Sequence, residues 1–203
     1  MSMKEQKKLI LASSSPRRQE LIQSLRLPFE IRVSDVNEDT EPGLSPQQVV
    51  EQLSSRKAGA VYELYKVEQP EGSEGVIIGS DTIVVLDSLV LGKPKDKQDA
   101  FLTLKRLQGR AHKVYSGVSC IDLRTGQELV SCQMVSVSMK ALTDDQIERY
   151  IDTGEPMDKA GSYGIQGLGA TLVERIEGDY FSVVGLPMSL LSDLLRRLGV
   201  AVI

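Results

Sequence analysis

The chain has 203 residues, which is long enough for one compact domain, or a two-lobed one, with a substantial hydrophobic core. Its 24 basic and 28 acidic residues give a net charge of −4, which argues against a protein that coats nucleic acid. Three Phe and six Tyr offer no platform on which bases could stack. This balance still permits a local basic pocket for a small anion.

Cysteine content and hydropathy indicate the compartment. Cys120 and Cys132 predict packed thiols in a reducing environment, and His112 as the single histidine gives no support to a Cys/His metal site. The apolar segment after the basic N-terminus is too short for a signal peptide, and no segment reaches the length of a membrane span. We therefore expect a soluble cytoplasmic protein that does not enter a membrane.

The first quarter of the chain predicts a strand, a helix and a second strand. Apolar segments at 9–12 and 29–33 have the length of short strands. Between them, Ser15 can cap a helix with Pro16 at its first position, and Pro28 ends that helix. Its apolar stripe consists of Leu21, Ile22 and Leu25.

Four further helices are predicted from their end signals. Capping boxes at 45–48 and 143–146 begin two of them, and a third runs from about Asp96 to Gly109. The last runs over 187–198, with Gly199 as its C-cap. The apolar stripe of the helix that begins at 45–48 consists of Val49, Val50, Leu53, Ala60, Val61 and Leu64.

The remaining apolar segments predict strands. Buried strands are expected at 76–78 and 83–86, a tight turn leads into 89–91, and alternating segments at 113–123 and 129–139 flank a turn. A last hairpin is expected from 172–176 and 180–184, and the acidic segment 67–75 predicts an exposed loop. The fold class is therefore α/β, with a mixed sheet, antiparallel hairpins and flanking helices, in a single domain over 1–203.

Two arginines mark the first candidate site. Arg17 and Arg18 lie in the first turn of a predicted helix, where the positive end of the helix dipole disfavours cations. The same helix end presents unpaired backbone N–H groups, which bind anions. The pair therefore predicts a bound phosphate-like group, with Ser13, Ser14 and Ser15 as hydroxyl donors. A solvated basic helix start is the alternative.

Two carboxylates form the second candidate feature. Asp81 interrupts the apolar stretch 76–86, where a charge needs a partner, a metal ion or a catalytic role. A turn aspartate between two strands is the alternative. Glu38, in a polar segment after the second strand, can supply a second carboxylate for a divalent ion, or it is simply a solvated acid.

Lysines and a glycine-rich segment complete the set. Lys57 falls on an apolar helix stripe, so its side chain either extends to solvent or points into a pocket. Lys93 lies in a Gly-Lys-Pro sequence, which on its own predicts a surface turn with a solvated lysine. The segment 158–167 contains Lys159 and Gln166, and its glycines indicate either a backbone shaped around a ligand or a flexible loop. The amide of Gln166 could contact the edge of a base.

Several segments, taken in order, resemble the Maf family: LASSSPRR from Leu11, GSDT from Gly79, GKP from Gly92, GRAH from Gly109 and EPMDKAGSYGIQG from Glu155. The resemblance spans almost the whole chain. It implies a nucleoside triphosphate pyrophosphatase, with an α/β fold akin to the inosine triphosphatase group, a cleft between two lobes, and Mg²⁺ or Mn²⁺ as cofactor. Members of the family are also linked to arrest of septum formation.

The resemblance also implies roles for individual residues. Asp81 matches the general base, and Glu38 matches an acidic position near the metal ion. Arg17, Thr82 and Gln166 match positions that mark the subgroup acting on dTTP and UTP. The residues matching phosphate contacts are Ser13, Arg17, Arg18, Lys57 and Lys93. Ser15 and Lys159 complete the substrate contacts that we expect.

Three alternatives stay open from the sequence. The substrate could be a purine or modified triphosphate in place of dTTP and UTP. The protein could instead be a nucleotide-binding regulator of septum formation without significant turnover. A nucleic-acid binder ranks below both, because the chain is acidic overall. The sequence leaves the oligomeric state open, with a homodimer as the form common among such folds.

Overall fold

A computed structural model of the chain describes residues 7–33, 35–68 and 74–203. Within these residues the elements are β1 (Lys8–Leu11), α1 (Pro16–Ser24), β2 (Phe29–Ile31), α2 (Pro46–Glu68), β3 (Gly75–Leu86), β4 (Leu89–Leu91), α3 (Lys97–Leu107), β5 (Ala111–Asp122), β6 (Glu128–Met139), α4 (Asp144–Asp152), β7 (Val173–Glu177), α5 (Tyr180–Val184) and α6 (Met188–Arg197). Short 3₁₀ turns cover Glu155–Asp158, Ala160–Ser162 and Gly167–Leu172. Of the predicted loop at 67–75, residues 69–73 lie outside the described residues.

The strands form one mixed sheet, which confirms the α/β class. Their order is β2-β1-β3-β5-β6-β7, and β4 pairs with β3 outside this path. β1 runs parallel to β2 and β3, while β4 is antiparallel to β3 and β7 is antiparallel to β6. None of the helices in the described parts of the chain is both long enough and apolar enough to cross a bilayer.

The chain forms two compact units. Unit 1 contains the described residues up to Asp81 together with Gly117–Cys132 and Gly185–Ile203. Unit 2 contains Thr82–Ser116 and Gln133–Val184. Its core joins residues of α3 and α4 to residues of β3, β5 and β6, among them Leu104, Ile147, Val84, Val114 and Val137.

Unit 1 buries both faces of its strands. Leu9 and Ile78 pack in one apolar cluster with residues of α1 and α6, while Ile10 and Ile77 pack in another with residues of α2. Successive side chains of a strand point to opposite faces, so neighbouring apolar residues of β1 and β3 serve two different helix layers. This explains why these strands are continuous apolar segments in the sequence.

Two glycines allow α2 to lie directly against the strands of unit 1. A Cβ atom at Gly79 of β3 would lie 2.2 Å from the Ser54 carbonyl oxygen and 2.8 Å from the Ala58 nitrogen. A Cβ atom at Gly117 of β5 would lie 2.3 Å from the Val50 carbonyl oxygen. Only hydrogen fits at these positions, so the backbone of α2 approaches both strands closely.

Most predicted helix ends are confirmed. Asp96 caps α3 by accepting a hydrogen bond from the Asp99 backbone N–H at 2.8 Å. Thr143 and Gln146 form the predicted capping box of α4, and Ser45 and Gln48 form the one that begins α2. Both thiols are free, with Cys120 buried and Cys132 half-buried, as expected.

Three local predictions are corrected. Residues 76–86 form part of one continuous strand, so Asp81 is not in a turn between two strands. Residues 180–184 form the helix α5 and not a strand, because the Asp179 carboxylate accepts hydrogen bonds from the backbone N–H and the hydroxyl of Ser182 at 2.8 and 2.6 Å. Ser15 stands at the N-cap of α1, but among the described residues its side chain makes no capping hydrogen bond.

The buried face of α2 is also shifted from the predicted stripe. Leu64, a predicted stripe residue, is 39% exposed. The residues of α2 that are buried are Val50, Leu53, Ser54, Ala58, Val61 and Tyr65. The close approach at Gly79 selects this face, because it puts Ser54 and Ala58 against β3.

We expect Gly79→Ala to lower the free energy of unfolding by about 1–3 kcal/mol, because the new methyl group meets backbone atoms that cannot rotate away. Urea unfolding followed by circular dichroism measures this change. Gly59→Ala is the matched control, since Gly59 is in α2 and a Cβ there meets nothing within 4 Å. The control should be stabilised by roughly 0.5–1 kcal/mol. Equal unfolding midpoints for Gly79→Ala and the unmodified protein would contradict the close-packing account.

Candidate active site

Lys57 joins two carboxylates in unit 1. Its Nζ atom lies 2.6 Å from Oδ1 of Asp81 and 2.7 Å from Oε1 of Glu38. The side chain of Lys57 is only 15% exposed, and Asp81 as a residue is 8% exposed. A buried charge needs a partner, and here one ammonium group serves both carboxylates. Lys57 therefore points at the acidic pair.

The segment that carries Glu38 is held by the neighbouring residue of α2. The guanidinium of Arg56 donates hydrogen bonds to the carbonyl oxygens of Asn37 and of Asp39, the latter at 2.8 Å. These two contacts flank Glu38 and fix the backbone that presents it to Lys57. Arg56 has no signal in the sequence, because its partners are backbone atoms 17 and 19 residues away.

The two arginines lie at the start of α1, as predicted, and both are half-buried. Nε of Arg18 donates to the Gly185 carbonyl at 2.8 Å, and Nη1 approaches Oγ of Ser13 at 3.4 Å. Burial lowers the pKa of Arg18, the charge of Asp81 opposes that change, Arg17 adds to it, and Glu38 opposes it. The charge of Arg18 thus interacts with the carboxylates of Asp81 and Glu38. We refer to Arg18, Asp81, Glu38 and Lys57 as one electrostatic group.

Serine hydroxyls hold the backbone around this group. Oγ of Ser13 accepts a hydrogen bond from the Ser15 backbone N–H at 3.2 Å, at the start of α1. The buried hydroxyl of Ser80 lies 2.9 Å from the carbonyl oxygens of both Gly117 and Gly185. Ser80 directly precedes Asp81, and its contacts fix β3 at that point. Its role was not predicted, since a serine in a strand has no local signal for such partners.

Thr82 belongs to unit 2 and begins a chain of hydroxyl contacts. Its Oγ1 lies 2.7 Å from Oγ of Ser116, which in turn donates to the Ser182 carbonyl at 2.7 Å. Ser116 has one proton and uses it on Ser182, so Thr82 is the donor to Ser116. Because successive side chains on a strand alternate, Thr82 and Asp81 face opposite sides of β3.

The other predicted residues of unit 2 lie on two loops. Lys93 is exposed in the turn after β4, and the Gly92 carbonyl next to it accepts a hydrogen bond from the Gly161 N–H at 3.1 Å. The ammonium of Lys159 contacts the Glu155 carbonyl and lies 2.7 Å from Oδ1 of Asp158. Gln166 is half-buried and directly precedes the 3₁₀ turn Gly167–Leu172. The structure thus brings the Gly-Lys-Pro turn against the glycine-rich segment.

A buried aromatic pair supports the same segment. Nε2 of His112 lies 2.7 Å from the Tyr163 hydroxyl, and the two rings meet edge to face. Burial lowers the pKa of His112 to about 4, from an ordinary value of 6.5. The imidazole is therefore neutral at physiological pH, and it holds Tyr163 by a hydrogen bond without adding a charge.

The acidic pair fits a hard divalent cation. Glu38 and Asp81 both direct a carboxylate oxygen at one cationic group, and carboxylate oxygens are the ligands that Mg²⁺ and Mn²⁺ prefer. Across residues 7–33, 35–68 and 74–203 there is no group of three or more His, Cys, Asp or Glu that could hold a metal ion. Two carboxylates suffice where water and substrate phosphates supply the other ligands.

These observations define an α/β protein in which a basic helix start lies in one electrostatic group with two carboxylates, the buried Asp81 and the exposed Glu38. Residues 8–198 match the family described as Maf-like protein, and the chain belongs to the Maf family. A relative from Desulforamulus reducens, described as dTTP/UTP pyrophosphatase, is 51% identical over 195 residues, covering 96% of this chain and 98% of the relative. One from Acetivibrio thermocellus with the same description is 47% identical, covering 97% and 98%.

Among solved structures, the Ham1 protein of Staphylococcus aureus is similar with a TM-score of 0.45 and 14% sequence identity. That similarity covers 82% of this chain and 80% of the Ham1 chain.

Because His112 is the only histidine, its pKa can be measured without assignment of other rings. We expect its NMR ring signals to stay unchanged from neutral pH down to about pH 5, well below the ordinary titration range. The unfolded chain takes up this proton near 6.5, whereas the folded chain does so only near 4. Unfolding free energy should therefore fall by about 2 kcal/mol between pH 7 and pH 5 from this group.

Tyr163→Phe is the control for this prediction. Burial, and not the tyrosine hydroxyl, is the cause of the lowered pKa, so the imidazole of this variant should still titrate below its ordinary range. An imidazole that titrates near 6.5 in the unmodified protein would overturn the prediction.

Proposed function

We propose that the protein hydrolyses dTTP and UTP, releasing pyrophosphate and leaving the nucleoside monophosphate. Two relatives that match almost the whole chain are described as dTTP/UTP pyrophosphatase. The observation that carries the proposal is the Lys57 ammonium between Asp81 and Glu38, in one electrostatic group with Arg18. This arrangement combines cations for phosphates with a carboxylate that can take a proton.

The start of α1 is the proposed phosphate site. Its N-terminal N–H groups and the guanidinium groups of Arg17 and Arg18 offset the negative charge of a triphosphate. The hydroxyls of Ser13 and Ser15 add hydrogen bonds to phosphate oxygens. Lys57 supplies a further cation from α2. By resemblance to the family, Lys93 contributes a phosphate contact, and Lys159 is a further substrate contact that we expect.

The reaction is a displacement at the α-phosphorus. A water oxygen forms the new bond to phosphorus, and the bond from phosphorus to the bridging oxygen breaks. Pyrophosphate leaves with that electron pair, and the carboxylate of Asp81 takes the proton of the attacking water. Lys57 donates to one oxygen of Asp81 and thereby holds the carboxylate in place.

Glu38 and Asp81 would hold the divalent ion, Mg²⁺ or Mn²⁺. When bound, such an ion neutralises charge on the phosphates and lowers the pKa of a coordinated water. Arg56 positions Glu38 for this task through the backbone on either side of it.

Base selection is assigned to three residues. Arg17, Thr82 and Gln166 match positions typical of the subgroup acting on dTTP and UTP. The Gln166 amide has both a donor and an acceptor, which suits the edge of a pyrimidine. Thr82 would act through the hydroxyl chain that it forms with Ser116. The expected homodimer and cytoplasmic location stay predictions, which sedimentation and cell fractionation can check.

Asp81→Asn should lower kcat for dTTP and UTP by about 10²–10⁴-fold, because an amide cannot accept the proton. The assay is pyrophosphate release with Mg²⁺ or Mn²⁺. Asp87→Asn is the matched control, since Asp87 follows the same strand and forms an exposed ion pair with Arg110. The control should keep its turnover.

Three results would count against this proposal. Near-normal turnover of Asp81→Asn would remove Asp81 as the base. Purine triphosphates hydrolysed faster than dTTP and UTP would change the substrate. Tight nucleotide binding without pyrophosphate release from any triphosphate would instead favour the nucleotide-binding regulator.

Gln166→Ala should reduce the preference for dTTP and UTP over GTP, measured as the ratio of kcat/KM values. Loss of one base contact is expected to change that ratio by roughly tenfold. Gln127→Ala is a suitable control, because Gln127 lies in the exposed turn before β6. An unchanged substrate ranking in Gln166→Ala would show that another residue selects the base.

A further inference from the structure

One carboxylate in unit 2 accepts three hydrogen bonds, two from the segment around Gln166 and one from Tyr150 of α4. Oε1 of Glu155 accepts from the Tyr150 hydroxyl at 2.9 Å and from the Gly169 backbone N–H at 2.8 Å. Oε2 of Glu155 accepts from the Leu168 backbone N–H at 2.9 Å. Both carboxylate oxygens are therefore engaged on the C-terminal side of Gln166.

Tyr150 holds the backbone on the N-terminal side of Gln166. Its hydroxyl donates to Glu155 and accepts a hydrogen bond from the Gly164 N–H at 3.2 Å. Tyr150 lies on α4 and is 5% exposed, so its ring is fixed in the core of unit 2. The Tyr150–Glu155 pair thus fastens the chain at Gly164 and again at Leu168, and Gln166 lies midway between these points.

The glycines of this segment fit tightly around the pair. A Cβ atom at Gly169 would lie 2.2 Å from the Gly164 carbonyl oxygen and 2.6 Å from the Tyr150 hydroxyl. Gly167 has φ of +65°, and a Cβ atom there would lie 2.7 Å from Oε2 of Glu155. Among the glycines that first suggested a ligand loop, Gly167 is therefore required by its positive φ and its contact with Glu155. Gly169, just beyond that segment, is required by its contacts with the Gly164 carbonyl and the Tyr150 hydroxyl.

Glu155 remains charged in this setting. Burial alone would raise its pKa, but the Gly169 and Leu168 N–H groups, the Tyr150 hydroxyl and the charge of Lys159 lower the pKa overall. Hydrogen bonds from N–H groups to an ionised carboxylate are stronger than neutral ones. The segment is consequently held by charge-assisted bonds from a residue that has no need to touch a substrate.

We propose that Tyr150 and Glu155 are positioning residues that fix Gln166 and so set the choice of nucleobase. This inference rests on the proposed function, because Gln166 is its assumed base contact. It adds two residues that act through Gln166. A purely structural role for the pair is the competing explanation, and it predicts loss of stability without a change in substrate preference.

A double-mutant cycle separates the two explanations. The variants are Glu155→Gln, Gln166→Ala and their combination, and the readout is the ratio of kcat/KM for dTTP to that for GTP. Glu155→Gln should lower this ratio by roughly tenfold, through a higher KM for dTTP with little change in kcat. In the Gln166→Ala background, Glu155→Gln should lower the ratio no further, because the residue through which it acts is absent.

Two further variants complete the design. Glu148→Gln is the matched control, since it removes the same charge from an exposed residue of α4, the helix that carries Tyr150, and its ratio should be unchanged. Tyr150→Phe removes the hydroxyl that bridges Glu155 and Gly164, and it replaces Glu155→Gln in the cycle if that variant does not fold. Amide exchange at Leu168 and Gly169 should accelerate in both Glu155→Gln and Tyr150→Phe.

The outcomes distinguish this inference from the proposed function. The positioning role of Tyr150 and Glu155 is refuted if Glu155→Gln leaves the ratio of kcat/KM for dTTP to that for GTP unchanged. It is also refuted if Glu155→Gln lowers this ratio equally in the unmodified protein and in Gln166→Ala. If the unmodified protein releases no pyrophosphate from any triphosphate, the proposed function fails. The same double-mutant cycle is then measured with dissociation constants for dTTP and GTP, and their ratio tests the positioning role of Tyr150 and Glu155 by the same two criteria.

Discussion

The contact between α2 and β3 at Gly79 is the constraint on which the acidic site depends. The Ser54 carbonyl and the Ala58 nitrogen occupy the space that a side chain at Gly79 would need. Lys57 lies between these two residues of α2, and Asp81 lies two residues beyond Gly79 on the same face of β3. The backbone contact therefore determines that the ammonium of Lys57 meets the carboxylate of Asp81.

The charged side chains clustered in unit 1 contribute little to the stability of the fold. A buried ion pair contributes little net stability, because desolvation of both charges offsets their attraction. Two carboxylates share Lys57, and Arg18 is half-buried with its pKa lowered by burial. In the proposed function, the negative charge of a bound anion beside Arg17 and Arg18 offsets part of this cost.

The sequence predicted the elements whose signals are local. The capping box of Thr143 and Gln146 and the cap of α3 at Asp96 are decided within four residues, so both were found. The segment 180–184 was wrongly predicted as a strand, because a short apolar run does not distinguish strand from helix. Arg56, Ser80 and Glu155 were missed as supports, since the backbone atoms that they contact lie between 13 and 105 residues away in the chain.

Candidate residues are held by charge in unit 1 and by backbone hydrogen bonds in unit 2. This difference matches the roles that we expect for them, which are chemistry in unit 1 and base selection in unit 2. In unit 1, Lys57, Glu38 and Asp81 hold one another by charge, so a change in any one alters the electrostatics available for chemistry. In unit 2, Gln166 lies on a segment held through backbone N–H groups that bind Tyr150 and Glu155. Backbone contacts fix where a side chain stands without changing its chemistry, which is what selection between nucleobases requires.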